Sequence, residues 1–176
     1  MIIADKVALI TGGAHQIGKA ITLELARAGA HVIINYHRSS KATALATAAE
    51  SEALGVRALA LQADVTDWKQ LKAMLTATKQ KLGPVSILVN AASVFRKTPL
   101  PADDLSDWQL VTDTLLHGAF LCANAVTPAM QAAGEGVIIN IVDLMAWQPR
   151  RDFAAHSVGK AALLALTRQL AVDLAP

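Results

Sequence analysis

The chain has a single cysteine, Cys122, among 176 residues. One thiol excludes an internal disulfide and suits a reducing compartment such as the cytoplasm. Charge is scarce as well: charged residues make up 17% of the sequence and the formal net charge is only +2. So weak a field excludes a chain that holds nucleic acid or an anionic membrane through its charge. Aromatic residues are 4%, and Trp68, Trp108 and Trp147 lack the interleaved basic residues of a nucleic-acid stacking platform. No clean apolar run of membrane-spanning length exists. The longest stretch without a charge, 114–134, contains His117, Asn124, Pro128 and Gln131 and reads as a buried or interface helix. The first strand pattern begins just behind Asp5 and Lys6, so no signal peptide is expected. The scattered histidines His15, His31, His37 and His117 show no metal spacing, so no metal site is expected. No repeat, linker or low-complexity tract interrupts the sequence.

What is present is apolar material. Hydrophobic residues form 53% of the chain, which argues against disorder and suffices for one domain, 1–176, with a single core. Apolar runs predict strands at 7–11, 31–36, 56–61, 85–90 and 136–142. Helical patterns fill the gaps at 17–28, 40–54, 68–82, 106–133 and 153–174. Gly29, Gly55 and the pair Gly83-Pro84 follow helices, and Asp67 and Ser106 suit helix N-caps. Near-continuous apolar strands alternating with helices predict an α/β fold with a parallel sheet covered on both faces.

Residues 6–29, KVALITGGAHQIGKAITLELARAG, organise the chain. An apolar strand ends in Thr11-Gly12-Gly13, and Gly18 opens a helical pattern. Gly12 permits a sharp turn, and Gly18 lets the helix start sit close to the strand. The free N–H groups of a helix N-terminus favour a pyrophosphate. The segment TGGAHQIG resembles the TGxxxGxG cofactor motif of the short-chain dehydrogenases/reductases, with Gln16 in place of the middle glycine. A polar or basic residue there is a trait of the pteridine-reductase-like branch. The resemblance implies a doubly wound Rossmann-type sheet of strand order 3-2-1-4-5 and a dinucleotide site including Thr11, Gly12, His15, Gln16, Ile17 and Gly18.

Further motifs extend the likeness. An NAD site carries an acidic residue at the end of the second strand. Here Asn35-Tyr36-His37-Arg38-Ser39 has none, and a guanidinium with a hydroxyl suits a 2′-phosphate. NADP(H) is therefore the expected cofactor, with Tyr36, His37, Arg38 and Ser39 beside it. The resemblance assigns Asp64 and Val65 to the adenine, and Asn90, Ala91 and Ala92, close to the family's NNAG, to the ribose. The continuation Ser93-Val94-Phe95, with Thr98-Pro99-Leu100, looks like the pteridine-reductase SSFYPTPL, where the serine and phenylalanine contact the pterin. Phe95 also fits a lid or core aromatic.

The catalytic constellation departs from the family. Its Ser, Tyr-x-x-x-Lys and upstream Asn fall on Asp143, His156, Lys160 and Leu115. Asp143 is the alternative of the pteridine-reductase branch. An imidazole can serve as acid or base near neutrality. Lys160 follows His156 by one helical turn, on the same face, and the resemblance gives it the nicotinamide ribose.

Members of the family continue beyond the point matched by Pro176 with further strands and a substrate-covering segment. A C-terminally incomplete domain is therefore expected, with strand 136–142 as an open edge. Helices 106–133 and 153–174 are apolar on much of their circumference and suggest a homo-oligomer. Three readings stay open. The first is an NADP(H)-dependent oxidoreductase acting on a small carbonyl or pterin-like C=N substrate. The second is a nucleotide-binding pseudoenzyme or assembly subunit. The third is a truncated product without a role of its own.

Overall fold

Five parallel strands form the centre of the computed structural model, which describes residues 1–175. They are β1 (Val7–Thr11), β2 (His31–Tyr36), β3 (Ala58–Gln62), β4 (Ile87–Asn90) and β5 (Val137–Asn140), and their order in the sheet is β3-β2-β1-β4-β5. The strands fall where β-branched and leucine runs lie between turn residues. β1 is buried along its whole length, as a central parallel strand must be.

Alternate residues of β1 serve opposite layers. Val7 and Leu9 join a core with Leu71, Met74, Cys122 and Val126, whereas Ala8 and Ile10 join one with Ala26, Ala44 and Ala48. The first layer holds α3 (Trp68–Lys81) and α5 (Gly118–Ala133); the second holds α1 (Gln16–Arg27) and α2 (Lys41–Glu52). Burial in this medium pushes the Cys122 thiol up to about 12, so it packs as a small apolar group.

The predicted helix 106–133 is one long rod made of three parts: α4 (Ser106–Thr112), a wider π turn (Asp113–His117) and α5. By length and composition it could cross a membrane, yet Leu115, Cys122, Val126 and Met130 are buried against the rest of the domain. Leu115 sits in the π turn and fills the space beside Gly159 of α6 (Ala154–Leu174), where a Cβ would lie 2.9 Å from its Cδ1.

Asp67 caps α3 as expected, accepting from the amides of Lys69 and Gln70. Ser106 is not a cap. It is the first helical residue, and Asp104, two positions earlier, accepts from its amide at 2.9 Å and its hydroxyl at 2.8 Å. β3 starts at Ala58 rather than at residue 56, because the amide of Arg57 donates to the imidazole of His31 outside the strand ladder. β5 is hydrogen-bonded to β4 alone among the described residues, and its Val137 and Ile139 are exposed.

Candidate active site

The carboxyl ends of β1, β2 and β4 meet the start of α1. Gly12 adopts φ +66°, the left-handed region that glycine enters freely. A Cβ at Gly18 would stand 2.1 Å from the Gly12 carbonyl oxygen, so only glycine fits there. Gln16, in the place of the motif's middle glycine, carries φ +50°, a conformation that non-glycine side chains rarely adopt. His15 precedes the helix and makes no side-chain cap hydrogen bond, which leaves the first-turn amides of α1 free for an anion.

A groove of about 450 Å³ opens at this point, within the range of small-ligand sites. Gly12, His15, Tyr36, Arg38, Asp64 and Ser93 are among its walls. Of the predicted cofactor residues, Gly12, His15, Tyr36, His37, Arg38, Ser39, Asp64, Val65 and Ala92 line it, in different capacities, whereas Thr11, Gln16, Ile17, Gly18, Asn90, Ala91 and Lys160 do not. Arg38 is exposed and free to reach a ligand. His37 lies 3.2 Å from Asp64, whose other oxygen accepts from the Thr66 amide and hydroxyl.

Other predicted residues hold the walls. Thr11 is buried, and its hydroxyl accepts from the amides of Ala91 and Ala92, both at 3.0 Å, tying β1 to the loop after β4. Tyr36 and Val65 are buried too. The Asn90 side chain points into the protein, donating to Asn140 at 2.9 Å and to the Ala119 carbonyl at 3.4 Å. Asn140, unnoticed in the sequence, passes the chain on to Thr167 at 2.9 Å. Only its register opposite Asn90 gives it this role. Ile17 is exposed on the first turn of α1.

The loop Ala92–Phe95 leads from the groove to the second part of the site. Phe95 stacks on Phe153, with ring centroids 4.5 Å apart, and meets His156 edge-on at 4.8 Å. Phe153 was not singled out in the sequence, because its partner lies in a distant loop. The two loops are stitched together by the Thr98 amide, which donates to Asp152 at 2.7 Å, and by the Ala155 amide, which donates to the Thr98 hydroxyl at 2.9 Å.

His156 Nε2 lies 2.7 Å from Asp143 Oδ2, and the Met145 amide donates to Asp143 Oδ1 at 2.9 Å. Partial burial pushes the Asp143 carboxyl up, but the hydrogen bonds from His156 and Met145, with the charges of His156 and Lys160, outweigh it. The carboxyl is held below its ordinary value. Lys160 Nζ donates to the Ile141 carbonyl at 2.6 Å. Its burial lowers the ammonium's affinity for its proton, and Asp143 offsets this only in part. All three predicted catalytic residues are thus gathered at one place.

A family model described as short chain dehydrogenase matches residues 6–176. The chain belongs to the short-chain dehydrogenase/reductase family. It is 39% identical to a 3-oxoacyl-[acyl-carrier-protein] reductase of Synechocystis sp. over 170 residues, 97% of this chain and 68% of that protein. A reductase of the same name from Staphylococcus epidermidis is 35% identical over 171 residues, 97% of this chain and 70% of the relative. Among solved structures, one described as a short-chain alcohol dehydrogenase from Sinorhizobium meliloti superposes with TM-score 0.91 at 33% identity, covering 98% of this chain and 69% of its own. NAD+-bound xylitol dehydrogenase superposes with TM-score 0.92 at 26% identity, covering 100% and 67%. These relatives carry a different activity from the pteridine-reductase branch. The likeness to that branch therefore rests on local features, Gln16, Ser93, Phe95, Thr98-Pro99-Leu100 and Asp143, rather than on the whole chain. The family's oxidoreductases use a nicotinamide dinucleotide, and the glycine cradle, free helix amides and groove of this member fit one. The only tyrosine in the chain, Tyr36, belongs to the groove wall, so no phenol of its own stands beside Lys160.

Proposed function

We propose that this family member is an NADP(H)-dependent reductase acting on a carbonyl group. The observation that carries this reading is the cluster of Asp143, His156 and Lys160, joined to the dinucleotide groove by the loop Ala92–Phe95. When bound, the reduced nicotinamide supplies the hydride. Asp143 and His156 manage the proton that the oxygen requires, and Lys160 offers its ammonium to the ribose. The names of the relatives support a 3-oxoacyl thioester as the substrate class. A pterin-like C=N bond is the second reading, favoured by Asp143 and by the exposed ring of Phe95 beside His156. NADPH oxidation with acetoacetyl-coenzyme A and with a dihydropterin separates them. Tight NADPH binding without turnover of either would instead support a nucleotide-binding pseudoenzyme.

The exposed Arg38 and the absence of an acid at Tyr36 favour NADPH over NADH. Charge-assisted contacts to a phosphate are worth about 1.5–3 kcal/mol, or roughly ten- to a hundredfold in affinity. Arg38→Glu is expected to remove most of that preference. Parallel fluorescence titrations with the two cofactors check it, and equal affinities in the parent contradict it.

Self-association belongs to the same reading. Phe120 on α5 and Val158 and Val172 on α6 are exposed apolar side chains on the two helices expected to pair with a second copy. Light scattering at micromolar concentration is expected to give a dimer or larger species, and Phe120→Asp to shift it toward the monomer. A monomeric parent contradicts the assignment.

A further inference from the structure

The Asp143–His156 pair is oriented with the imidazole behind the carboxylate. His156 is only 3% exposed. Its Nε2 is committed to Asp143 Oδ2 at 2.7 Å, and its Nδ1 is sealed from solvent without a hydrogen-bond partner. The edge-on ring of Phe95, itself backed by Phe153, covers one side of the imidazole. The Asp143 side chain, by contrast, is 43% exposed. A molecule that reaches the pair from solvent meets the carboxylate and finds no exposed imidazole nitrogen.

We propose that Asp143 is the group that touches the substrate oxygen and exchanges a proton with it, while His156 is a positioning residue that acts through Asp143. The proposal rests on the oxidoreductase reading given above. In the reducing direction the carbonyl carbon gains a hydride, with both electrons, from the reduced nicotinamide, and the C=O π bond opens onto oxygen. That oxygen takes the proton of the Asp143 carboxyl. The carboxylate left behind takes its next proton from solvent, to which its side chain is open, while the 2.7 Å contact with His156 holds it in place. Alcohol oxidation runs the same transfers in reverse. A carboxyl held below its ordinary value favours the carboxylate near neutrality, so reduction is expected to speed up as pH falls. Lys160 stays on the Ile141 carbonyl, and its charge acts on Asp143.

Two measurements on the full chain test this. The first needs no turnover: acylation by diethyl pyrocarbonate, followed residue by residue by mass spectrometry. The exposed His15, His37 and His117 are expected to react freely, and His156 at least about tenfold more slowly, as sealed nitrogens are unavailable to the reagent. Reaction of His156 at the rate of the exposed histidines overturns the proposal. The second compares variants in NADPH oxidation. Asp143→Asn, which cannot exchange the proton, is expected to lose roughly 10²–10⁴-fold in kcat. His156→Ala is expected to fall in that same range. His156→Gln keeps a hydrogen-bond donor for Asp143 and is expected to recover turnover to within about tenfold of the parent. His156→Gln as inactive as His156→Ala, with Asp143→Asn near the parent, makes the imidazole the contacting group and overturns the proposal. If the parent binds NADPH yet turns over neither substrate, the oxidoreductase reading fails, and the acylation pattern alone decides which group faces the site.

Discussion

Gly18→Ala is expected to cost about 3 kcal/mol of stability and at least tenfold in NADPH affinity. A Cβ at this position would lie 2.1 Å from the carbonyl oxygen of Gly12 and 2.8 Å from its carbon, both backbone atoms that cannot swing aside. The only relief is to lift α1 from β1. Thr22 resists that motion, because its hydroxyl bridges the carbonyls of Gly13 and Gly18 at 3.2 and 2.8 Å. Overpacking a well-filled site costs about 1–3 kcal/mol, and a backbone contact belongs at the upper end. Moving the helix start also displaces the amides that would bind the diphosphate, and about 1.4 kcal/mol lost there is tenfold in affinity. Urea denaturation and cofactor titration of the variant check both parts. A variant with the parent's midpoint contradicts the packing argument.

Lys160→Met is expected to lower turnover roughly 10²-fold while leaving the pH dependence of stability simpler than the parent's. Methionine keeps an unbranched chain of similar length, so the space between α6 and β5 stays filled. The lost interactions are the ammonium's field at Asp143 and its hydrogen bond to Ile141. The sign of the pH effect follows from burial, which depresses the Lys160 pKa in the folded state below 10.5. Between the folded and unfolded pKa values the unfolded chain binds more protons, so this lysine's contribution to stability rises with pH through that window. Below the window the charged, buried ammonium is a standing cost; above it the cost is gone. Urea midpoints measured for both proteins as pH climbs toward 10.5 are expected to rise for the parent relative to the variant. A parent that loses ground to Lys160→Met over that range contradicts the burial argument.

Much of the fold was legible in the sequence for a local reason. β1 and β2 begin and end where the apolar runs do, since a central parallel strand has both faces buried and its polar residues lie only toward its ends. The π turn at Asp113–His117 left no such mark. It sits inside an unbroken helical pattern, and Leu115 there packs against Gly159 from a distant part of the chain. The site divides in the same way. Gly12 and Gly18 declared themselves because a turn or a close approach ties residue type to task. Thr11 and Asn90 looked like cofactor contacts, whereas their polar atoms fasten strand ends together. The spacing of Asp143, His156 and Lys160 placed them in one site. Which of the first two is open to a ligand depends on Phe95 and Phe153 meeting across two loops, and that contact has no local signature.

The most direct test of the whole account is a stoichiometric one: the purified chain, NADPH and acetoacetyl-coenzyme A, with nicotinamide absorbance and the thioester product followed together. The account predicts one 3-hydroxyacyl thioester formed for each NADPH consumed, with consumption nearly abolished in Asp143→Asn. Saturable NADPH binding with no oxidation, or oxidation that is indifferent to Asp143, would contradict it.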